Sequence, residues 1–176
     1  MRDHDALDHN PNVHKSALEA LHGDLFGWAL SRCGYNEATA EDLMQQAYVE
    51  LLSGKARFDN KSTLKTFVFG VVQNLARSRF RKQNTRLRLV ESYVAEQETV
   101  GEDNHELNNL KTVWEAVESL PQRQRDITEL VFIRDMTIGE ASQVMGVSVG
   151  TGRAHYDRAK KSLAEKLARL HPELST

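Results

Sequence analysis

Apolar residues recur three and four positions apart along most of this chain, and no other feature restricts its fold so strongly. The first such series consists of Leu18, Leu21, Leu25, Trp28 and Ala29. Residues with this spacing lie on one side of an α-helix, whereas a half-buried strand needs strict alternation. No strand pattern, internal repeat or low-complexity tract competes with it. The sequence therefore predicts an all-α protein.

Two more helices are predicted before the middle of the chain. Thr39 can cap the second helix, whose apolar side holds Ala40, Leu43, Met44, Ala47, Tyr48 and Leu51. The residues off that side are polar, namely Glu41, Asp42, Gln45, Gln46 and Glu50. After a loop from Ser53 to Ser62, a third helix is marked by Leu64, Phe67, Val68, Val71 and Leu75. Three such helices can enclose a small core and leave one polar face free.

Charge is unevenly distributed, although the 23 basic and 25 acidic residues nearly cancel. The third helix runs on into a basic stripe of Arg77, Arg79, Arg81, Lys82, Arg86 and Arg88. Such a stripe can neutralise phosphates, and unpaired bases can stack on or bond to the nearby Phe67, Phe69, Asn74 and Phe80. The alternative is a solvated charged face, with Phe67 in the core. From Glu91 to Glu106 the charge reverses, which predicts an acidic, flexible linker.

A second helical unit follows the linker. One helix is predicted from Leu110, Val113, Trp114 and Val117, and Pro121 suits the first position of the next. Thr137 and Glu140 then form a capping box, Gly146 suits a left-handed helix end, and Ser148 can cap a long basic helix through Leu167. This order predicts a helix-turn-helix, which places polar side chains in the major groove of DNA. The alternative is a helical hairpin whose basic face is merely solvated.

No residues point to catalysis or to a metal. Cys33 is the only cysteine, so it forms no internal disulfide, and we expect a small buried hydrophobic residue there. The glycine-rich stretch 146–152 lacks the lysine of a phosphate loop, and the seven histidines are scattered. Neither a targeting segment nor a membrane span is evident. We expect a cytoplasmic protein that does not insert into membranes and has no enzymatic activity, cofactor or metal.

Four motifs, in their order and spacing, resemble the extracytoplasmic-function (ECF) sigma factors of bacterial RNA polymerase. They are AEDL at 40–43 with Gln45, FVFGVVQNLA at 67–76, SLPQRQR at 119–125, and SVGTGR at 148–153 with RAKKSL at 158–163. Each motif is loose alone, but four in this order are specific. The resemblance covers Ser16 to Leu170. It implies a region-2-like domain at 14–88, a linker at 89–107 and a region-4-like helix-turn-helix domain at 108–170.

The resemblance also implies the function of a sigma factor, which directs core polymerase to promoters. It further implies which residues contact each partner. Core RNA polymerase would bind Glu41, Asp42, Gln45 and Gln46. The melted minus-ten element of promoter DNA would lie against Phe58, Asn60, Lys61, Asn74, Arg77, Arg79, Arg81 and Lys82. The minus-thirty-five element would contact Ser148, Thr151, Arg153, Ala154, Asp157, Arg158 and Lys161. An anti-sigma factor is left open as a further partner.

Four positions depart from the family pattern. Gln46 stands where an acidic residue is usual, Phe67 where tryptophan is usual, Gly152 where valine is common and His155 where arginine is common. A helical glycine costs about 1 kcal/mol, so we expect an altered DNA contact. Two other functions stay open. One is a stand-alone helix-turn-helix regulator that dimerises on palindromic DNA without polymerase, and the other is an adaptor that binds a protein and no DNA.

Overall fold

The computed structural model describes residues 13–89 and 113–170, and side chains within them except at 86–89 and 170. The chain divides into two compact units, Met1–Ser92 and Tyr93–Thr176. All regular structure in the described residues is helical, as the apolar spacing predicts. Over the same ranges, every helix falls short of the apolar length that crossing a bilayer requires. The predicted linker from Glu91 to Glu106 lies outside the described residues.

Three helices build the first unit, and each packs against the other two. They are α1 at Lys15–Arg32, α2 at Glu37–Leu52 and α3 at Leu64–Leu89. Gly34, at a φ of 59°, lies in the turn after α1. The predicted cap of α2 was wrong by three residues, because the Asn36 side chain accepts the backbone N–H of Thr39. The asparagine oxygen caps a helix that begins at Glu37, about one turn earlier than a cap at Thr39 would allow.

The core of the first unit is formed where α3 packs between α1 and α2. Its largest fully buried side chains are Trp28, Phe69, Leu25, Leu43, Leu51, Val68 and Val72. The ring of Phe69 lies 6.2 Å from that of Trp28, so Phe69 cannot serve as a base-stacking platform. Phe67 is only half-buried. The platform role proposed for Phe69 was wrong because a helix with partners on two sides buries a wider arc than one apolar stripe.

The second unit begins, among described residues, with helical residues 113–118, here called α4. Next come α5 at Gln122–Thr128, a π-helical turn at Glu129–Ile133, α6 at Ile138–Met145 and α7 at Val149–Leu170. Pro121 is the N-cap of α5, one residue before its predicted place. The core contains Leu120, Ile127, Leu130, Val144 and Met145. Val113 and Trp114, predicted as part of an apolar stripe, are 43% and 45% exposed.

The helix-turn-helix geometry follows from local capping. Thr137 Oγ1 accepts the N–H of Glu140 at 3.2 Å, and Glu140 Oε2 accepts the N–H of Thr137 at 2.9 Å. Gly146 then adopts the left-handed conformation, at φ 64° and ψ 40°. Ser148 Oγ accepts the N–H of Thr151 at 3.1 Å as α7 begins. The predicted capping box, glycine turn and serine cap are therefore all confirmed.

We predict that Thr137→Ala destabilises α6 by about 1 kcal/mol, because it leaves the N–H of Glu140 without its side-chain partner. Hydrogen exchange of the α6 amides measures this, and about 1 kcal/mol corresponds to roughly fivefold faster exchange. Gln143→Ala is the matched control, because Gln143 is exposed on the same helix. Equal exchange rates in the two variants would show that the box does not stabilise α6.

Candidate nucleic-acid and partner interfaces

The outer face of α2 is polar and accessible. Ala40, Leu43, Met44 and Ala47 point into the core, and they leave Glu41, Asp42, Gln45 and Gln46 together on the exposed side. Val49 lies on this side as well and is 65% exposed. The sequence reading missed Val49, although its position four residues after Gln45 and three after Gln46 was a usable signal. Val49 thus adds one apolar side chain to an otherwise polar surface.

Arg79 connects the polar face of α2 to α3. Its Nη2 donates to Asp42 Oδ2 at 3.3 Å, and its Nη1 donates to the Thr39 carbonyl at 3.4 Å. The predicted single basic stripe is therefore wrong at this residue. Arg77 and Arg81 are four residues apart and share one side of α3, whereas Arg79 lies between them in sequence and points elsewhere. Arg79 therefore lies beside the polar face of α2, while its predicted contact with the minus-ten element stays a prediction.

Arg79 also influences Cys33, which is half-buried rather than fully buried as expected. Burial raises the pKa of the Cys33 thiol, and the positive charges of Arg79 and Arg32 oppose that rise. The thiol therefore stays protonated near neutral pH. Cys33 therefore acts as a packing residue at the end of α1.

The loop before α3 supports one aromatic contact and presents polar groups. Phe58 is only 8% exposed, and its ring lies 5.1 Å from that of Phe67. Asn60 is exposed in a left-handed backbone conformation at φ 59°. Lys61 pairs with Asp59 at 2.6 Å, which lowers the pKa of Asp59 and raises that of Lys61. Phe58 therefore positions the loop, while Asn60 and Lys61 face outward.

The solvent-facing side of α3 continues this surface. Asn74 is exposed, and Arg77 and Arg81 follow at spacings of three and seven residues, which places all three on one side of the helix. Phe67, seven residues before Asn74, lies on the same side beside the loop. Lys82 is exposed but, like Arg79, departs from this line. The fold thus joins an aromatic ring, an amide and two guanidinium groups in one strip.

On α7, the predicted DNA-contacting residues share one face. Gly152 and Ala159 are buried against the rest of the unit. Arg153, Asp157, Arg158 and Lys161 are exposed on the opposite side, with Ala154 half-buried among them. Ser148 and Thr151 are exposed at the helix start, their hydroxyl oxygens 2.9 Å apart. Asp157 pairs with Lys160 at 3.5 Å, so it is partly neutralised. A polar face with three basic groups matches what major-groove docking requires.

An aromatic cluster borders this face and was missed from the sequence. The ring of Phe132, from the π-helical turn, stacks on that of Tyr156 at 5.7 Å. Lys160 Nζ lies 4.6 Å from the centre of the Tyr156 ring. Phe132 is nevertheless 58% exposed. The cluster joins the early part of α7 to the π-helical turn, and it depends on a contact between distant positions that the spacing of apolar residues does not reveal.

Comparison with protein families gives two matches that follow the division of the chain. Residues 17–86 match the model "Sigma-70 region 2", and residues 110–163 match the model "Sigma-70, region 4". The first match contains α2, the loop and most of α3, and the second contains the helix-turn-helix. Together the two models span well over half of the 176 residues.

Within the described ranges, no group of metal-ligating side chains comes together.

Individual relatives agree with the family models. The chain is 27% identical over 139 residues to the RNA polymerase sigma factor HrpL of Pseudomonas syringae pv. syringae, covering 75% of each chain. It is 28% identical over 146 residues to the ECF RNA polymerase sigma factor EcfG of Rhodopseudomonas palustris, covering 81% of this chain and 78% of the relative. The ECF sigma factor SigX of Bacillus subtilis is 25% identical over 166 residues, covering 89% and 84%.

Solved structures share the fold. The sigma factor RpoE of Bartonella quintana, solved with the anti-sigma factor NepR, matches 87% of this chain and 95% of its own, with 23% identity and a TM-score of 0.72. CnrH, solved with the cytosolic domain of CnrY, covers 88% and 87% with 24% identity and a TM-score of 0.58. Both family regions in order, these relatives and this fold lead to one conclusion: the chain belongs to the sigma-70 family, as an ECF sigma factor of RNA polymerase.

Proposed function

We propose that this sigma factor uses three separate faces, one for core polymerase and one for each of two promoter elements. Its exposed polar residues are divided among these three faces. The observation that carries the proposal is that each predicted set gathers mainly on one accessible surface. Two sets lie within the residues that match region 2, and the third lies within those that match region 4. A stand-alone regulator gains no support from matches of both regions in this order.

The outer face of α2 is the proposed docking surface for core polymerase. Glu41 and Asp42 give it negative charge, Gln45 and Gln46 give it hydrogen-bonding groups, and Val49 gives it an apolar contact. Protein interfaces combine such an apolar contact with a polar rim. The Arg79–Asp42 ion pair connects this face to α3.

The strip formed by the loop and α3 is the proposed contact with the minus-ten element. Asn60, Lys61 and Asn74 offer hydrogen-bonding groups to an unstacked base, and Arg77 and Arg81 offer charge to the adjacent phosphates. Phe58 acts indirectly, by holding the loop against Phe67. Arg79 and Lys82 diverge from the strip, so we assign them a smaller part. Trapping a base here would favour the opened duplex.

The exposed side of α7 is the proposed contact with the minus-thirty-five element. Thr151, Arg153 and Ala154 lie in the first turns, where side chains of a recognition helix meet base edges. Arg158 and Lys161 lie one and two turns further on and suit phosphate contacts, which position without specifying. Ser148 holds the start of the helix by its cap.

All these steps are binding and strand separation, so we expect no enzymatic activity and no cofactor. We place the protein in the cytoplasm, where its polymerase works. The RpoE and CnrH structures are complexes, with NepR and with CnrY, and NepR is an anti-sigma factor. We accordingly propose an anti-sigma factor as a third partner beside core polymerase and promoter DNA. Run-off transcription with core polymerase tests the proposal, and no promoter-dependent transcript above core alone would refute it.

We predict that Asp42→Arg weakens binding to core polymerase about tenfold, because a reversed charge on a complementary interface introduces like-charge contacts. The fold should survive, since Asp42 is exposed and a surface ion pair contributes at most about 1 kcal/mol. Fluorescence anisotropy of labelled chain titrated with core enzyme measures the affinity.

Two controls separate the docking face from other effects of this change. Glu19→Arg makes the same kind of charge reversal at an exposed site on α1 and should leave the affinity unchanged. Arg79→Ala breaks the ion pair with Asp42 without reversing the charge on α2, and should weaken binding less. Wild-type affinity in Asp42→Arg would remove this face from the proposal.

A further inference from the structure

Gly152 lies at a closely packed point of the second unit. It lies in the first turn of α7, where its N–H donates to the Ser148 carbonyl at 2.9 Å. It is buried against Ser142 of α6 and Ile127 of α5, which are 1% and 0% exposed. Gly152 therefore lies where α5, α6 and α7 converge. Glycine is unfavourable inside a helix, so its presence here needs a packing reason.

A side chain at this position would not fit. A Cβ built on Gly152 overlaps Ser142 Oγ, and it lies 3.0 Å from Ser142 Cβ and 3.3 Å from Ile127 Cδ1. Ser142 cannot turn aside without loss, because its hydroxyl donates to the Ile138 carbonyl at 2.6 Å. The expectation that Gly152 merely weakens the helix was therefore incomplete. The glycine lets α7 approach α6 more closely than a residue with a Cβ would allow.

The position of this contact gives it a role in DNA recognition. Gly152 lies between Thr151 and Arg153, two residues that we assign to the minus-thirty-five element. A larger side chain at position 152 would push the start of α7 away from α6 and would displace Thr151 and Arg153 directly. Arg158 and Lys161 lie further along the helix, away from the point of displacement. An interface whose side chains must meet base edges tolerates little displacement.

We propose that Gly152 and Ser142 are positioning residues that set the distance between the start of α7 and α6, and thereby determine which base pairs of the minus-thirty-five element are preferred. This inference rests on the proposed function of α7. It predicts that a wedge at Gly152 changes base preference as well as affinity, whereas a general loss of stability would lower the active fraction and leave the preference unchanged.

Gly152→Ala is the direct test, in the full chain with core polymerase. We expect about a tenfold loss of affinity for the promoter, equivalent to one weakened base contact, together with a changed preference among single-base variants of the upstream element. Binding is measured at fixed salt, at a temperature where circular dichroism shows each variant to be folded. Ser142→Gly combined with Gly152→Ala removes the two closest obstructing atoms, both of Ser142, and should restore both properties.

A milder wedge keeps the test decisive if Gly152→Ala alone does not fold. Ser142→Ala combined with Gly152→Ala removes Oγ but keeps the Cβ–Cβ approach of 3.0 Å, and it is compared with Ser142→Ala alone. We expect a smaller shift of base preference in the same direction. Unchanged preference in whichever wedge variant folds, or a changed preference that Ser142→Gly does not restore, would overturn the inference.

The failure of this inference can be told apart from the failure of the proposed function. Arg153→Ala, measured on the same promoters, tests whether α7 reads DNA at all. If Arg153→Ala changes base preference and the folded wedge variants do not, only the positioning role is refuted. If neither has any effect, the assignment of α7 to the minus-thirty-five element is refuted as well.

Discussion

Arg153→Ala is expected to weaken promoter binding by about 10- to 100-fold in the presence of core polymerase and to relax the preference at one or two base pairs of the minus-thirty-five element. Arg153 is exposed in the first turns of α7, on the side opposite the buried Gly152 and Ala159. A guanidinium group there can donate two hydrogen bonds to a guanine edge, a contact that no other base pair reproduces.

Lys161→Ala is the matched control for this prediction. Lys161 is exposed on the same face two turns later, so its ammonium group can approach phosphates. The loss of one phosphate contact should weaken all sequences about equally and reduce the slope of log affinity against log salt by about 1. The two variants are compared on a set of single-base promoter substitutions. If Arg153→Ala also weakened every sequence equally, Arg153 would be a phosphate contact.

Elements determined by local chemistry were predictable from the sequence. The capping box of Thr137 and Glu140, the left-handed Gly146 and the Ser148 cap depend on residues three positions apart or on a single φ angle. All of them appear in the structure as the sequence predicts. The exposed faces of α2 and α7 were predictable for a similar reason, because one buried partner side leaves the other side free.

Features that depend on contacts between helices were not predictable. Phe69 and Val72 are buried because α3 has partners on two sides, and Arg79 is drawn away from the basic stripe by Asp42, 37 positions earlier. The need for glycine at 152 arises from Ser142 and Ile127, which no local pattern relates to it. Phe58 was predicted to contact DNA because the loop that contains it was predicted to do so. In the structure its buried ring packs against Phe67 and holds the loop.

Core polymerase is expected to tighten promoter binding by at least about a hundredfold relative to the chain alone. The second contact of a two-part binder becomes intramolecular once the first is made, and its effective concentration depends on how well the separation of the parts matches that of the two sites. The chain has two compact units, each with a surface that we propose contacts DNA, and the sequence between them predicts an acidic linker. A linker of that kind would leave the separation variable, and its negative charge would compete with DNA for the basic faces.

Polymerase would raise the effective concentration if it docks on α2 and fixes the two units at the spacing of the promoter elements. It would also keep the acidic linker from competing with DNA. Fluorescence anisotropy on a labelled promoter duplex at one salt concentration measures the gain, with and without saturating core enzyme, because affinities at different salt cannot be compared. A duplex with both elements scrambled is the control for the polymerase's own affinity for DNA, and it should show little of the gain. Asp42→Arg should require more core enzyme to reach the same gain. Tight, sequence-specific binding by the chain alone, equal to that with core present, would show that its units need no scaffold, as expected of a stand-alone regulator.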